Sequence, residues 1–135
     1  MTTTALKHRV PVATVRQQIE KMQAGLSFRA VTSLQKALQL PLGTMATVLG
    51  MSRATLHRRK RQGKIDEDES EKLVRYQRLL KKAEDVFGDG KSAREWLRHK
   101  QAGLGKAVPL DFARTEIGAR EVENLLGRLE YGVYS

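Results

Sequence analysis

Residues 42–61, LGTMATVLGMSRATLHRRKR, carry the pattern that most constrains how this sequence folds. A small residue at Ala46 lets two steeply crossing helices approach closely, and Gly50 tolerates the positive φ that a sharp turn between them requires. Ser52 is a good N-cap for the second helix, and Leu56 gives that helix a buried anchor. The ordered set of these residues predicts a helix-turn-helix whose second helix begins after Ser52.

Basic residues are concentrated in the same part of the chain. The whole sequence has 25 Lys and Arg against 15 Asp and Glu, a formal net charge of +10. The first 64 residues hold 12 basic residues and a single acidic one, Glu20, whereas the remainder holds 13 basic and 14 acidic residues. A charge run on its own is usually a solvated face. Because the basic residues of the first part include those of the second helix of the motif, DNA binding is the favoured interpretation.

The second helix of the motif supplies the candidate DNA contacts. They are Ser52, Arg53, Thr55, His57, Arg58, Arg59, Lys60, Arg61 and Lys64. We expect Arg53 and Arg58 to contact guanine bidentately in the major groove, and Thr55 to meet a thymine methyl or a phosphate. Contacts to the DNA backbone, which fix register without reading sequence, are assigned to Ser52, Arg59, Lys60, Arg61 and Lys64. His57 is interpreted as an exposed residue of this helix, and a homodimer would read an inverted repeat of double-stranded DNA.

Length and composition indicate a globular protein without disulfides. The 135 residues allow one ordinary domain or two very small ones, and 40% hydrophobic with 30% charged residues is a globular composition. The sequence contains no cysteine, which excludes disulfides and Cys-type zinc sites. No apolar run reaches membrane-spanning length and the first residues lack the apolar core of a secretory signal, so we expect a cytoplasmic protein.

The sequence carries no pattern typical of an enzyme. It has no Cys nucleophile and no His paired with Ser and Asp in a recognisable motif, and His8, His57 and His99 are too far apart to indicate a metal site. The loop from Gly103 to Lys106 lacks the preceding strand and the full spacing of a phosphate-binding loop, so a turn is favoured. We expect a non-enzyme without cofactor or metal.

Apolar residues recur at helical spacing throughout, which predicts an all-α fold. An arm and a short amphipathic helix occupy residues 1–26. Residues 27–66 form the helix-turn-helix domain, with Ser27 capping its first helix and Pro41 closing it. Residues 67–135 form a C-terminal domain with a long linking helix.

The long linking helix is expected to start at the acidic cluster of residues 66–69, since negative side chains favour the N-terminal end of a helix dipole. Its apolar stripe comprises Leu73, Tyr76, Leu80, Ala83 and Phe87. The stripe can pack inside one domain or form a dimer seam, and we expect a mixture because two small halves bury little surface alone. Trp96 is expected in the core, and a final amphipathic helix lies past Gly118.

The second half of the chain resembles a known family of small helical domains. Its pattern is a Phe-Gly near a helix end, an Ala-x-x-Trp-Leu helix, a Leu-Gly loop, a Pro-Leu, a Thr-x-x-Gly and a terminal Leu followed by Gly-Val. Here these are Phe87-Gly88, Ala93 with Trp96-Leu97, Leu104-Gly105, Pro109-Leu110, Thr115 with Gly118, and Leu126 with Gly132-Val133. The match is to the C-terminal domain of the MbcA/ParS/Xre antitoxins. Together with the helix-turn-helix, it makes the chain similar to the Xre antitoxins that pair with RES-domain toxins.

This resemblance implies an Xre-like helix-turn-helix bundle followed by a small helical toxin-binding domain. RES toxins deplete cellular NAD, and such an antitoxin covers the toxin's active site and binds its own promoter to autoregulate. The resemblance places the C-terminal tail at the toxin interface: Glu130, Tyr131, Gly132, Val133, Tyr134 and Ser135. Aromatic side chains such as the two tail tyrosines are enriched at interfaces, and the alternative is that Tyr131 packs back on its own domain.

The alternative function is a stand-alone helix-turn-helix transcriptional regulator whose C-terminal domain only dimerises. It would use the same DNA-binding half of the chain. The absence of a toxic neighbouring gene product that binds this chain would distinguish the regulator from an antitoxin.

Overall fold

A computed structural model describes residues 10–132, and within that range the chain is a bundle of α-helices. They are α1 (Val12–Ala24), α2 (Phe28–Leu38), α3 (Leu42–Val48), α4 (Arg53–Gln62), α5 (Glu67–Phe87), α6 (Gly90–Arg98), α7 (Pro109–Phe112) and α8 (Glu116–Glu130). A 3₁₀ turn, Ala102–Leu104, lies between α6 and α7. The all-α fold predicted from apolar spacing is confirmed.

The turn between α3 and α4 has the geometry that its residues predict. Gly50 adopts φ +72°, in the left-handed region that favours glycine. The Thr55 N–H donates to the Ser52 Oγ at 3.1 Å, so Ser52 caps α4. Ala46 and Leu56 are each only 2% exposed, which confirms the buried positions predicted for them.

The start of α2 lies where the sequence predicts it, but the residues expected to begin and to close the helix do not act as predicted. Ser27 precedes the helix, yet its side chain makes no capping hydrogen bond, and the first N–H of α2 donates instead to the Gly63 carbonyl at 2.9 Å. Pro41 does not close α2, because the helix has already ended where Gln39 takes a left-handed conformation with φ 52°. Pro41 directly precedes α3. Both differences depend on contacts and backbone geometry outside the local pattern.

The long helix α5 packs against helices from both halves of the chain. It has 21 residues and packs against α1, α2, α6 and α8. Four of the five members of its predicted apolar stripe are buried within the chain, since Leu73, Tyr76, Leu80 and Ala83 are at most 8% exposed, and the fifth, Phe87, is half-buried. These side chains are core residues, and the dimer-seam interpretation does not apply to them.

Aromatic side chains connect α5 to the C-terminal half. The Tyr76 hydroxyl donates to the Leu110 carbonyl at 2.8 Å, and burial raises the pKa of Tyr76 to about 12. Tyr76 therefore stays neutral and keeps its role as a donor at physiological pH. The rings of Phe87 and Trp96 lie 5.6 Å apart between centroids, and both are half-buried. Trp96 therefore lies at the edge of the hydrophobic core and packs against it.

The first helix is held by only one of its ends. Met22 is half-buried and faces Val74 of α5 across a shallow groove. Three apolar residues that share a face of α1 with Met22 are more exposed: Val12, Val15 and Ile19 are between 40% and 76% exposed. The amphipathic helix predicted within residues 1–26 is confirmed, but most of its apolar face lies in solvent.

The corner between α7 and α8 is the tightest backbone contact of the C-terminal half. A Cβ atom on Gly118 would lie 1.7 Å from the Phe112 carbonyl oxygen, much closer than atoms can approach. The Gly118 N–H donates to the Thr115 hydroxyl at 3.0 Å, which caps α8. Glycine is therefore required at position 118.

Gly118→Ala is expected to lower the free energy of unfolding by about 2–4 kcal/mol, because the added methyl group forces α7 away from α8. Gly127→Ala, in the same helix, is the matched control. A Cβ there meets nothing within 4 Å, so the better helix propensity of alanine should raise stability by about 0.5–1 kcal/mol. Urea unfolding followed by circular dichroism measures both changes. Equal stability of the two variants would contradict the close contact between Gly118 and the Phe112 carbonyl oxygen.

Candidate functional site

The second helix of the motif, α4, presents one face to solvent and one to the core. Leu56 anchors the inner face. Because successive residues are about 100° apart on a helix, Ala54, Arg58 and Arg61 lie roughly opposite Leu56, and all three are exposed. The outer face therefore combines a small apolar residue with two guanidinium groups, a chemistry suited to base edges and phosphates in a DNA groove.

Seven of the nine sequence-predicted DNA contacts are exposed. They are Ser52, Arg53, His57, Arg58, Lys60, Arg61 and Lys64. We call the cations among them, Arg53, Arg58, Lys60, Arg61 and Lys64, the basic surface. Thr55 is half-buried, and its hydroxyl accepts a hydrogen bond from the Ser52 hydroxyl at 3.0 Å. The Ser52 and Thr55 hydroxyls are thus already hydrogen-bonded to each other at the cap of α4.

Arg59 occupies a different position from the other basic residues of α4. Its guanidinium lies against the start of α5, with Nε 2.8 Å from the Glu69 Oε1 and an Nη 3.1 Å from the Asp66 Oδ2. The hydrogen bond to Glu69, strengthened by its charge, raises the pKa of Arg59 above the ordinary value. Arg59 was predicted to hold the DNA backbone, and its guanidinium already has two carboxylate partners within the chain.

The same two carboxylates form the cap of α5. The Glu69 N–H donates to the Asp66 Oδ1 at 2.8 Å, and the Asp66 N–H donates to the Glu69 Oε1 at 2.9 Å. This reciprocal capping box satisfies N–H groups at the helix start. Glu69 is 8% exposed, so its charge depends on Arg59 for compensation. The position of α4 and the start of α5 are therefore fixed by one polar cluster, Arg59, Asp66 and Glu69.

A buried serine joins both ends of the helix-turn-helix to α5. The Leu26 N–H donates to the Ser70 Oγ at 2.9 Å, and the Ser70 hydroxyl donates to the Asp66 carbonyl at 2.6 Å. The Ile65 N–H in turn donates to the Leu26 carbonyl at 2.9 Å. The segment before α2 and the segment after α4 thus meet at a single point, which orients α4 relative to the rest of the chain.

Sequence reasoning did not select two features of this surface. Ala54 is exposed on the outer face, and its spacing to Arg58 and Arg61 (i, i+4, i+7) is the signal that would have found it. An open groove between α3 and α4 is lined by Thr44 and Thr47 together with Ser52 and Arg53. The sequence gives no signal for Thr44 and Thr47, because only the crossing of α3 and α4 brings their hydroxyls beside Arg53.

The described part of the tail is exposed. Glu130 ends α8, and Tyr131 and Gly132 follow it. Tyr131 is 81% exposed, so it does not pack back on its own domain. Val133, Tyr134 and Ser135, which were also predicted to lie at an interface, fall outside the described residues.

Comparison with known proteins identifies the family. The sequence matches a model of the antitoxin Xre-like helix-turn-helix domain over residues 17–78 and a model of the antitoxin Xre/MbcA/ParS C-terminal toxin-binding domain over residues 82–132. It is 34% identical over 119 residues to an antitoxin Xre of Yersinia enterocolitica, covering 87% of this chain and 80% of that protein. The chain belongs to the Xre antitoxin family. An antitoxin Xre of Photorhabdus laumondii is 33% identical over 116 residues, 84% of this chain and 78% of that protein.

The two family models meet within α5. The helix-turn-helix model ends at residue 78 and the toxin-binding model begins at residue 82, so the long helix belongs to both halves of this Xre antitoxin. The predicted resemblance to Xre antitoxins is confirmed. Across residues 10–132, no helix has the length and apolar character needed to cross a membrane.

Arg59→Ala is expected to lower the free energy of unfolding by about 1–2 kcal/mol, because it leaves the Glu69 carboxylate without its cation. Arg61→Ala is the control on the same helix, since the described residues give Arg61 no ion pair; its stability should change by less than about 0.5 kcal/mol. Thermal unfolding followed by circular dichroism compares them. A stability loss of the same size in both variants would contradict a structural role for Arg59.

Proposed function

We propose that this chain neutralises a RES-type, NAD-depleting toxin by covering its active site, and that it binds its own promoter to autoregulate. The observation that carries the proposal is the arrangement of the two family domains on one chain, with α4 and Tyr131 both exposed. The exposure of Tyr131 leaves an aromatic side chain free for a partner, as expected of an interface residue. A non-catalytic role agrees with the names of the two relatives, which are antitoxins.

For the DNA-binding half, we propose that α4 enters the major groove. Arg53 and Arg58 contact guanine, and Lys60, Arg61 and Lys64 hold phosphates. Arg59 acts through the polar cluster that positions α4. A homodimer places two copies of α4 on an inverted repeat, in the cytoplasm, where promoter DNA lies. The support is the exposure of the basic surface on one face of a capped, anchored helix.

The antitoxin proposal is tested by co-expression with the product of the adjacent reading frame. The full chain is expected to relieve growth arrest and to co-purify, whereas a chain lacking the six residues from Glu130 onward loses the relief, because the tail covers the toxin's active site. An Arg53→Ala/Arg58→Ala double variant is the control, and it should neutralise normally since it alters only the DNA-binding half. A harmless neighbour that never co-purifies would instead favour the stand-alone regulator.

The DNA-binding proposal is tested by comparing a base contact with a phosphate contact. Arg58→Ala should reduce discrimination between the chain's own promoter and random DNA by about 1–3 kcal/mol. Lys64→Ala should weaken binding to both alike and reduce the magnitude of the salt-dependence slope by about 1. Fluorescence anisotropy at several salt concentrations measures these effects. Equal losses on promoter and random DNA for Arg58→Ala would remove Arg58 from the base-reading residues.

A further inference from the structure

The first helix, α1, carries a continuous row of apolar side chains that the rest of the described chain leaves uncovered. The row comprises Val12, Val15, Ile19 and Met22, which follow one another every three or four residues and so lie within about 80° of the helix circumference. No residue of α1 is buried. Val12, Val15 and Ile19 are exposed, and Met22 is half-buried. We call these four residues the α1 face.

An apolar groove continues the α1 face onto the body of the molecule. It runs beside Met22, and its other apolar walls are Leu26, Ala30 and Val74. Leu26 and Ala30 flank the start of α2, whereas Val74 belongs to α5. The α1 face and the groove therefore form one contiguous apolar patch, which is typical of an interaction site.

The spacing of the α1 face is self-complementary. Val12 and Met22 are each five residues from position 17, and Val15 and Ile19 are each two residues from it. Two α1 helices that pair antiparallel about a two-fold axis at position 17 therefore place Val12 opposite the partner's Met22. The same pairing places Val15 opposite the partner's Ile19. A two-fold contact of this kind uses the same patch on both copies, and it brings the partner's Val12 to the groove beside Met22.

The charges of α1 favour the approach of a second copy. Glu20 is the single acidic residue among the first 64, and it lies one turn from Arg16 on the same flank of the α1 face. Antiparallel pairing about position 17 sets Arg16 of each copy beside the partner's Glu20, which gives two pairs of opposite charge. The helix α4, in contrast, has five basic residues and no acidic one, so two copies repel each other there.

Other partners fit the α1 face less well than a second copy does. α1 lies outside residues 82–132, the part that matches a toxin-binding domain. The four side chains of the face carry no charge for phosphates. Helices that lie on membranes have a polar face rich in Lys and Arg, whereas α1 has Arg16 and Lys21 against Glu20. The apolar stripe of α5, the dimer seam considered from the sequence, is covered by the chain itself.

We propose that two copies of this chain pair antiparallel through their α1 faces. The inference deepens the proposed function, on whose homodimer it rests, by naming the surface that joins the two copies. Two faces about 20 Å long and about 10 Å wide bury on the order of 400 Å² in total, well below the roughly 1,200 Å² of stable complexes. The pairing is therefore weak in free solution, with a Kd on the order of 100 μM. Two adjacent half-sites on DNA raise the effective concentration and complete the dimer.

The first test is sedimentation equilibrium of the full chain without DNA. Val15→Arg and Ile19→Glu are each expected to weaken self-association at least about 10-fold, because each sets a charge against an apolar side chain. An equimolar mixture of the two variants should regain association to within about 3-fold, since antiparallel pairing sets the introduced arginine opposite the partner's introduced glutamate. Gln17→Arg is the matched control: Gln17 is exposed on the opposite side of α1, so association should change less than about 2-fold.

Cysteine cross-linking tests the direction of the pairing, and the sequence has no cysteine to interfere. Antiparallel α1 helices bring Val12→Cys of one copy within disulfide reach of Met22→Cys of another. Two copies of Val12→Cys are instead about 15 Å apart along the helix axis. Under mild oxidation, the mixture of these variants should give at least about 5-fold more covalent dimer than Val12→Cys alone. More covalent dimer from Val12→Cys alone would overturn the antiparallel arrangement.

The outcomes separate this inference from the DNA-binding proposal. Weaker association of the single-charge variants, recovery in their mixture and unchanged circular dichroism support the α1 face. If Val15→Arg associates as the unaltered chain does, or if the unaltered chain is monomeric up to about 1 mM, the inference is overturned while promoter binding can still stand. Loss of toxin binding in Val15→Arg without a change in self-association would assign the face to the toxin and overturn it as well. A chain that pairs through α1 but ignores its own promoter leaves the inference standing and removes the DNA-binding proposal.

Discussion

Burial of one face of α5 is the constraint on which the rest of the structure depends. The side chains of Leu73, Tyr76 and Leu79 are almost inaccessible to solvent, and the residues that cover them come from both halves of the chain. Each half alone has few apolar residues to bury, and small domains are marginally stable for that reason. The shared helix gives the chain one continuous core, so the DNA-binding half and the toxin-binding half hold each other in place.

The first half of α5 contacts both the helix that carries the basic surface and the first turn of α8. At its start, the cluster of Arg59, Asp66 and Glu69 fixes α4, and with it the basic surface. Further along, Arg75 holds the Glu116 side chain and fixes the first turn of α8. The helix α4 and the first turn of α8 are therefore both joined to α5 by ion pairs.

Much of the fold follows from local patterns. Gly50, Ser52 and the acidic residues at the start of α5 lie where their conformational and capping preferences predict, since each depends on neighbours a few residues away. Ser27 is the contrasting case, because its capping role is replaced by a bond from α2 to the Gly63 carbonyl, 35 residues away. No pattern around Ser27 reveals that contact, which exists only because the segments before α2 and after α4 run side by side.

The sequence by itself determined the helices, the helix-turn-helix, the concentration of positive charge in the first half and the family. These depend on residue spacing and charge, which the chain carries whatever its tertiary arrangement. Only the tertiary structure decided which charged side chains of α4 face solvent and which are held in ion pairs. It paired Arg59 with two carboxylates, left Arg58 in solvent and placed Ala54 beside it on the outer face. It also left Ile117 exposed, because helical spacing shows that residues share a face, whereas burial depends on what the rest of the chain packs against that face.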